Sequence, residues 1–285
     1  MNMLSKYPIA AAAIAGIVGM FVLSGQAHAQ FEVEQPQVHK GDAEIELYGA
    51  YYSGLPSLPN SAIRQGHELE VYYAITEWWA MEVEAEFEQK RASDGSFDSL
   101  KLKEIEIQNI FELLPLEGDG FGAAFLVAYA ENVLNGKDES ELEFGPILKA
   151  VRGPLSATVN LFPKYEFDIQ EVENKSGVIS IEEEPDHWNF NYAVQVKHKT
   201  GERVAFGLES YGTFKDIGAD LPGNQPEIHR AGPVVYLKLG EGEHSHDGHE
   251  EAEEGPEFEM AFGLLFGLND NTSDVAFKYN AEIEF

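Results

Sequence analysis

Glu82, Glu84, Glu86 and Glu88 occupy every second position of one segment, with Trp79, Met81, Val83, Ala85 and Phe87 in the intervening ones. On an extended chain alternate side chains share a face and sit about 7 Å apart, so the four carboxylates form a ladder of like charge. Their repulsion has to be relieved by water, counterions or bases on adjacent strands. The pattern recurs with Glu44 and Glu46 against Ile45, Leu47 and Tyr51, with Glu68 and Glu70 against Leu69, Val71 and Tyr73, and with Glu104 and Glu106 against Ile105, Ile107 and Phe111. A helix would scatter these residues around its surface, whereas period two separates them. Two uses fit the glutamates: a polar lining tied up in salt bridges, or a wet wall that attracts cations and repels anions. Lys149, Lys164 and Lys197 alternate with apolar neighbours in the same way and are the expected inner counter-charges, too few to neutralise the wall.

A second constellation lies in Glu241–Gly255, where His244, His246 and His249 stand among Glu and Asp. Imidazole and carboxylate are ligands for zinc, copper or nickel. Gly242, Gly248 and Gly255 leave nothing in this stretch to fix ligand geometry. The two readings are a solvated low-complexity insertion and weak, exchangeable metal capture. No cofactor is required by any motif.

A third grouping, His229 with Asp186, His187, Ser210 and Asp216, has the residue types of a hydrolase. Parity places His229 on the inner face near the external rim and Ser210 on the outer face, and no short motif sets a nucleophile beside a base. No Gly-rich loop follows a strand and opens a helix, so nucleotide chemistry has no support. The expectation is a protein that is not an enzyme.

Positioning these groups falls to strands. The last twelve residues alternate throughout, with Val275, Phe277, Tyr279, Ala281, Ile283 and Phe285 opposite Asp274, Lys278, Asn280, Glu282 and Glu284. A terminal strand ending in Phe resembles the signal by which outer-membrane barrels engage their assembly machinery. Comparable segments of ten or so residues follow one another from Ala43, separated by turn residues, to a total of about twelve. The fold class expected is all-β: a transmembrane, antiparallel, up-and-down β-barrel whose apolar outer wall meets lipid and whose charged interior stays wet. The segment Phe121–Ala130 differs, because its inner positions Gly122, Ala124, Leu126 and Ala128 carry no charge.

Residues 1–29 carry Lys6, an apolar run from Ala10 to Leu23 and the small-x-small ending Ala27-His-Ala29, the layout of a secretory signal peptide. No later segment is long and apolar enough for a membrane helix, and the absence of Cys excludes disulfides and a lipid-modified Cys. Removing the signal takes away Lys6 and no acid, so the formal charge moves from −31 to −32, which opposes nucleic-acid binding. Residues 30–40 are either disordered or a lumen plug, and 41–285 form the barrel, with 241–255 a long insertion on the periplasmic side. Connection lengths set the sides, since short turns face the periplasm and long loops the exterior. Loops at 53–61, 92–99, 132–139, 167–186 and 215–226 fall outside; turns at 76–77, 115–120, 153–154 and 200–202 fall inside. Trp79, Phe121 and Phe285 then fit one aromatic girdle and Tyr51, Tyr129, Tyr165 and Trp188 the other; the alternative is that aromatics simply favour strands. Lys101 and Lys103 are expected on the outward face at the external end of their strand, either at a solvated rim or within reach of lipid phosphates.

The stretches Gly41-Asp-Ala-Glu-Ile-Glu-Leu-Tyr-Gly49, Glu68-Leu-Glu-Val-Tyr-Tyr-Ala-Ile-Thr-Glu-Trp-Trp79, Ala205-Phe-Gly-Leu-Glu-Ser-Tyr-Gly212, Gly232-Pro-Val-Val-Tyr236 and Phe262-Gly-Leu-Leu-Phe-Gly-Leu-Asn269, with terminal Phe285, resemble the outer-membrane family labelled for the meta-pathway of phenol degradation, the MetA-type transporter-like barrels. The resemblance implies an outer-membrane barrel associated with uptake of small organic compounds; it transfers no catalytic or ligand residue. The residues themselves lead first to an outer-membrane pore for small solutes with a preference for cations, in contact with lipid and lipopolysaccharide. The other readings are a surface-binding scaffold without flux and uptake of small aromatic compounds.

Overall fold

The protein is described from a computed structural model that covers residues 31–54, 63–90, 96–133, 139–173, 179–183, 187–215, 217, 228–239 and 256–285. The signal peptide, the His-rich insertion with His244, His246 and His249, and Asp186 and Asp216 lie outside these residues.

Thirteen strands follow in chain order: β1 (Ala43–Ser53), β2 (Ile63–Thr76), β3 (Trp79–Lys90), β4 (Lys101–Leu114), β5 (Gly120–Asn132), β6 (Glu139–Arg152), β7 (Leu155–Glu173), β8 (Ile179–Glu183), β9 (His187–Lys199), β10 (Val204–Phe214), β11 (Ile228–Leu239), β12 (Glu257–Gly267) and β13 (Val275–Glu284). Each pairs antiparallel with its neighbour, except that β9 returns past β8 to pair with β7. The ring closes where β1 pairs with β13, from Glu44↔Glu284 to Ser53↔Val275, and the Phe285 N–H donates to the Ala43 carbonyl at 2.9 Å. Twelve strands therefore form a closed antiparallel barrel. Closure leaves no edge whose backbone polar groups would need water, which is the condition for strands to lie in hydrocarbon.

The thirteenth strand is a departure from the sequence reading. β7 runs on to Glu173 and pairs with β8 from Ile169↔Glu183 to Glu173↔Ile179, so the 167–186 loop contains a hairpin that stands on the rim and takes no part in the ring. Ile169, Val172, Ile179 and Ile181 supply β-branched residues on both arms, which favour extended pairing over open loop.

Two Gly-Pro pairs interrupt the ladder. Pairing of β6 with β7 lapses between Glu143↔Lys164 and Ile147↔Asn160, at Gly145-Pro146, and pairing of β11 with β12 lapses between Ala231↔Phe266 and Val234↔Gly263, at Gly232-Pro233. Proline has no N–H to donate, and the glycine admits the facing strand: a Cβ on Gly232 would sit 1.9 Å from the Leu264 carbonyl oxygen.

The two faces differ as the alternation requires. Val71, Tyr73, Met81, Val83, Ile105, Ile107, Phe206, Leu208, Leu264 and Phe266 are exposed, whereas Glu68 and Glu70 of β2 and Glu82, Glu84 and Glu86 of β3 are buried. In water such an apolar belt would be a liability, but against lipid it is the solvated surface. Changing Val83 to Arg is expected to cost about 2–4 kcal/mol if it lies at the bilayer midplane, read as a lowered urea midpoint in lipid, while Val83→Leu leaves it unchanged.

Candidate functional site

The inner wall of β1 to β4 is acidic. Glu46, Glu68, Glu70, Glu82, Glu84, Glu86, Glu88 and Glu104 are buried, and Glu44 and Glu106 are partly buried. Register explains their crowding. Glu46 lies opposite Glu70, Glu70 opposite Glu84, and Glu84 opposite Glu106, so one carboxylate from each of four strands falls in a single row across the wall. Directly opposed side chains have Cβ atoms about 4.5–5.5 Å apart.

Bases meet this wall at its loop-side end. Lys103 Nζ donates to Glu86 Oε2 at 2.6 Å and stands 3.4 Å from Glu104 Oε2, Lys90 Nζ is 2.6 Å from Glu88 Oε1, and Lys164 pairs with Glu141 across β6 and β7. Lys103 corrects the sequence reading, which set it toward lipid. The β3–β4 register slips between Glu86↔Glu104 and Phe87↔Leu102, and this bulge leaves Lys103 between two pairs and turns it inward, 5% exposed. The same slip sets Lys101 opposite inward Glu88 and not on the outward face; at the end of its strand it is exposed. Among the described residues no Lys or Arg pairs with Glu46, Glu68, Glu70, Glu82 or Glu84. Their donors are neutral: Tyr48 and Asn280 to Glu46, at 2.6 and 3.3 Å, and Gln108 to Glu84.

Across the lumen a different group forms. Lys278 Nζ donates to Glu209 Oε2 at 2.7 Å, to the Tyr211 hydroxyl at 2.9 Å and to the Phe31 carbonyl at 2.8 Å. Tyr211, Tyr236 and Gln195 also donate to Glu209, at 2.6, 2.5 and 3.1 Å. Charge and donors balance, so this buried pair is fully satisfied.

The Phe31 carbonyl belongs to a segment that enters the ring at Asp42 and runs up inside it. Phe31 and Val33 pack with Ala50, Ala193, Tyr211, Leu265 and Ala276; Val38 packs with Ile110, Leu126, Ile147 and Phe162. The second patch includes the uncharged inner face of β5. Polar contacts hold the backbone as well: Asn160 Nδ2 donates to the Glu34 carbonyl at 3.1 Å and Lys149 Nζ to Gln37 Oε1 at 3.0 Å. Glu32 and Glu34 are thereby added to the acidic side, where Tyr48 donates to Glu32 at 3.3 Å. Burial, reinforced by the facing carboxylates of Glu46, Glu68 and Glu143 and partly offset by a hydrogen bond with Glu32, pushes the Glu34 carboxyl up to about 8. Two cavities flank the segment, about 390 Å³ toward the loops and about 430 Å³ toward the termini, and Phe31, Glu32 and Glu34 line both.

Among the described residues the hydrolase grouping does not assemble. Gly212 pairs with His229 and with Tyr192, and Phe206, Leu208 and Phe214 at the same parity are exposed, so His229 lies on the outer face. There its ring is 4.8 Å from that of Phe214 and its Nδ1 is 3.2 Å from the Tyr192 hydroxyl, while Ser210 Oγ donates to the Arg230 carbonyl at 3.0 Å. The inward parity expected for His229 fails because both faces of β11 are apolar: Val234 and Tyr236 point in, Val235 and Leu237 out. Arg230, unremarked in the sequence, takes the inner position, its guanidinium 4.7 Å from the centre of the Tyr52 ring.

No family model matches the chain, and no curated protein matches it by sequence. Among solved structures it is similar to an outer membrane channel from Pseudomonas putida F1, with a TM-score of 0.52 and 10% identity over 90% of this chain and 98% of the other. The NanC porin aligns over 85% of this chain and 98% of its own at 11% identity, with a TM-score of 0.47. At such identities the likeness concerns architecture. Fold and comparison together define a closed twelve-strand antiparallel β-barrel; the phenol-pathway resemblance rests on its strand motifs alone.

Proposed function

We propose that the chain is a bacterial outer-membrane channel for small solutes, that its glutamate wall favours cations and cationic solutes, and that the segment Phe31–Lys40 closes it. The observation that carries this reading is the row Glu46, Glu70, Glu84 and Glu106, set inside a ring without an edge, beside cavities of about 390 and 430 Å³, with no base among the described residues paired to the first three. Anionic walls of this kind concentrate cations and exclude anions by their field. The apolar belt supports a site in the outer membrane, in contact with lipopolysaccharide, reached through the assembly machinery by way of β13.

Purified mature chain in liposomes is expected to pass arginine faster than glutamate. Preference for the anion removes the cation reading, and exclusion of both, with the segment deleted, leaves a scaffold without flux. A second reading has its own observation. The inner apolar patch of Ile110, Leu126, Ile147 and Phe162 suits a small aromatic solute, as the family resemblance implies. Toluene uptake that survives neutralisation of the acidic row would favour it. Metal capture by His244, His246 and His249 is a separate proposal, tested by zinc titration of the whole chain with and without residues 241–255.

The raised carboxyl of Glu34 gives closure a pH dependence. Its neutral form suits a seat crowded by Glu32, Glu46, Glu68 and Glu143, so the contribution is complete below the ordinary value of 4.5 and is lost as pH rises through about 8. Openings in planar bilayers are expected to become more frequent above pH 8, and Glu34→Gln to flatten that dependence.

A further inference from the structure

Glu70 stands out within the acidic wall. It is 0% exposed, and neither of its carboxylate oxygens has a hydrogen-bond donor among the described residues. A buried carboxylate in that condition is strongly disfavoured unless something neutralises it. Its oxygens face others of the same kind. One carboxylate oxygen each from Glu46, Glu70 and Glu82 lie within 4.8 Å of one another, and so do one each from Glu68, Glu70 and Glu84. All five residues are at least nine-tenths buried.

From this geometry we infer a resident divalent-cation site centred on Glu70, of the Ca²⁺ class, in which Glu46 and Glu82 complete one face and Glu68 and Glu84 the other. The donors are all carboxylate oxygen, a set that selects hard cations over zinc or copper. Ca²⁺ takes oxygen ligands at about 2.3–2.6 Å, so ligands on opposite sides of the ion are about 4.6–5.2 Å apart and one ion spans either trio. Mg²⁺ needs shorter, near-octahedral contacts and retains several waters, for which a trio of buried carboxylates leaves little room. The strands explain why the site is rigid: β1, β2 and β3 supply one row by direct pairing, Glu46↔Glu70↔Glu84, and Glu68 and Glu82 sit one inward position away on either side. Glu32 and Glu34 on the inner segment face the same wall, so a bound ion would also offset repulsion between the segment and its seat. A resident ion is distinct from a permeant one, and the inference holds whether or not the barrel conducts.

The test is calorimetric titration of the folded mature chain in detergent, stripped with EDTA, with CaCl2 and separately with MgCl2. Saturable Ca²⁺ binding at least about tenfold tighter than Mg²⁺ is expected, which corresponds to about 1.4 kcal/mol. Glu70→Gln should abolish it and Glu257→Gln, at the barrel rim, should retain it, with folding of each checked by heat-dependent gel mobility. Wild-type protein that takes up no Ca²⁺, or a Glu70→Gln variant that binds as wild type, overturns the inference. If Glu70→Gln does not fold, infrared spectra of the wild type decide. A shift of the carboxylate stretch on Ca²⁺ addition upholds the site, whereas a persistent protonated-carboxyl band at saturating Ca²⁺ means that protons do the neutralising and overturns it. Ca²⁺ binding without conductance would remove the channel reading alone, and conductance without Ca²⁺ binding this inference alone.

Discussion

Deleting Phe31–Lys40 is expected to convert a barrel that conducts rarely into one that conducts steadily, with the largest functional change of any variant considered. The segment lies between cavities of about 390 and 430 Å³ and lines both, so its removal joins them into one aqueous path through the ring. Stability should fall as well, since Phe31, Val33 and Val38 leave two apolar clusters without their central side chains. The ring itself persists, because its closing pairs between β1 and β13 involve none of these residues. Single-channel recording of intact and deleted barrels checks this. Equal conductance would mean that the segment does not gate the lumen.

Lys278→Met carries the largest expected effect on stability. The ammonium is 3% exposed and supplies the only positive charge that the described ion pairs give to Glu209. Removing one partner of a buried pair typically costs about 3–5 kcal/mol, because the other charge stays behind. Tyr211, Tyr236 and Gln195 would still donate to Glu209, so the lower part of that range is expected. The double variant Lys278→Met/Glu209→Gln should recover most of the loss, which urea unfolding in lipid can read. Because Lys278 also donates to the Phe31 carbonyl, the single variant should open more often than wild type, though less than the deletion. A single variant no worse than the double would show that the pair is already uncharged.

The strands whose two faces differ most in chemistry were legible. In β1 to β4 an inward carboxylate alternates with an outward aliphatic or aromatic residue, and a shift of one position would put every glutamate into lipid. Parity was lost where that contrast fades, as in β11, and His229 was set on the wrong face for that reason. It was also lost where one extra residue enters a strand: nothing in Lys101-Leu-Lys103 announces the bulge that turns Lys103 toward Glu86. The inner segment did carry a signal. Phe31-Glu32-Val33-Glu34 alternates like the strands that follow it, and this pattern marks a chain with one apolar and one acidic partner. The Glu209–Lys278 pair joins β10 to β13 across the lumen, and no local spacing could have forecast it.

Tyr279 shows how the outer face accommodates polarity. Its ring lies over Gly49, where a Cβ would come within 2.4 Å of it, and its hydroxyl meets His67 Nδ1 at 2.6 Å. Glycine on β1 thus gives an aromatic ring of β13 room to lie against the backbone, with Tyr51 packing on the same group at 6.2 Å between ring centres. The Tyr279 hydroxyl and His67 Nδ1 are paired with each other beneath an aromatic cover, which keeps these two atoms from bare contact with lipid.

Carboxylates line the inside of a closed ring, and ion selectivity reads their effect most directly. The barrel lacking Phe31–Lys40, placed in a planar bilayer under a KCl gradient, should give a reversal potential of the sign set by K⁺, and neutralising Glu46, Glu84 and Glu106 to Gln should move it toward zero. A reversal potential of the sign set by Cl⁻, or one unmoved by those substitutions, would contradict it.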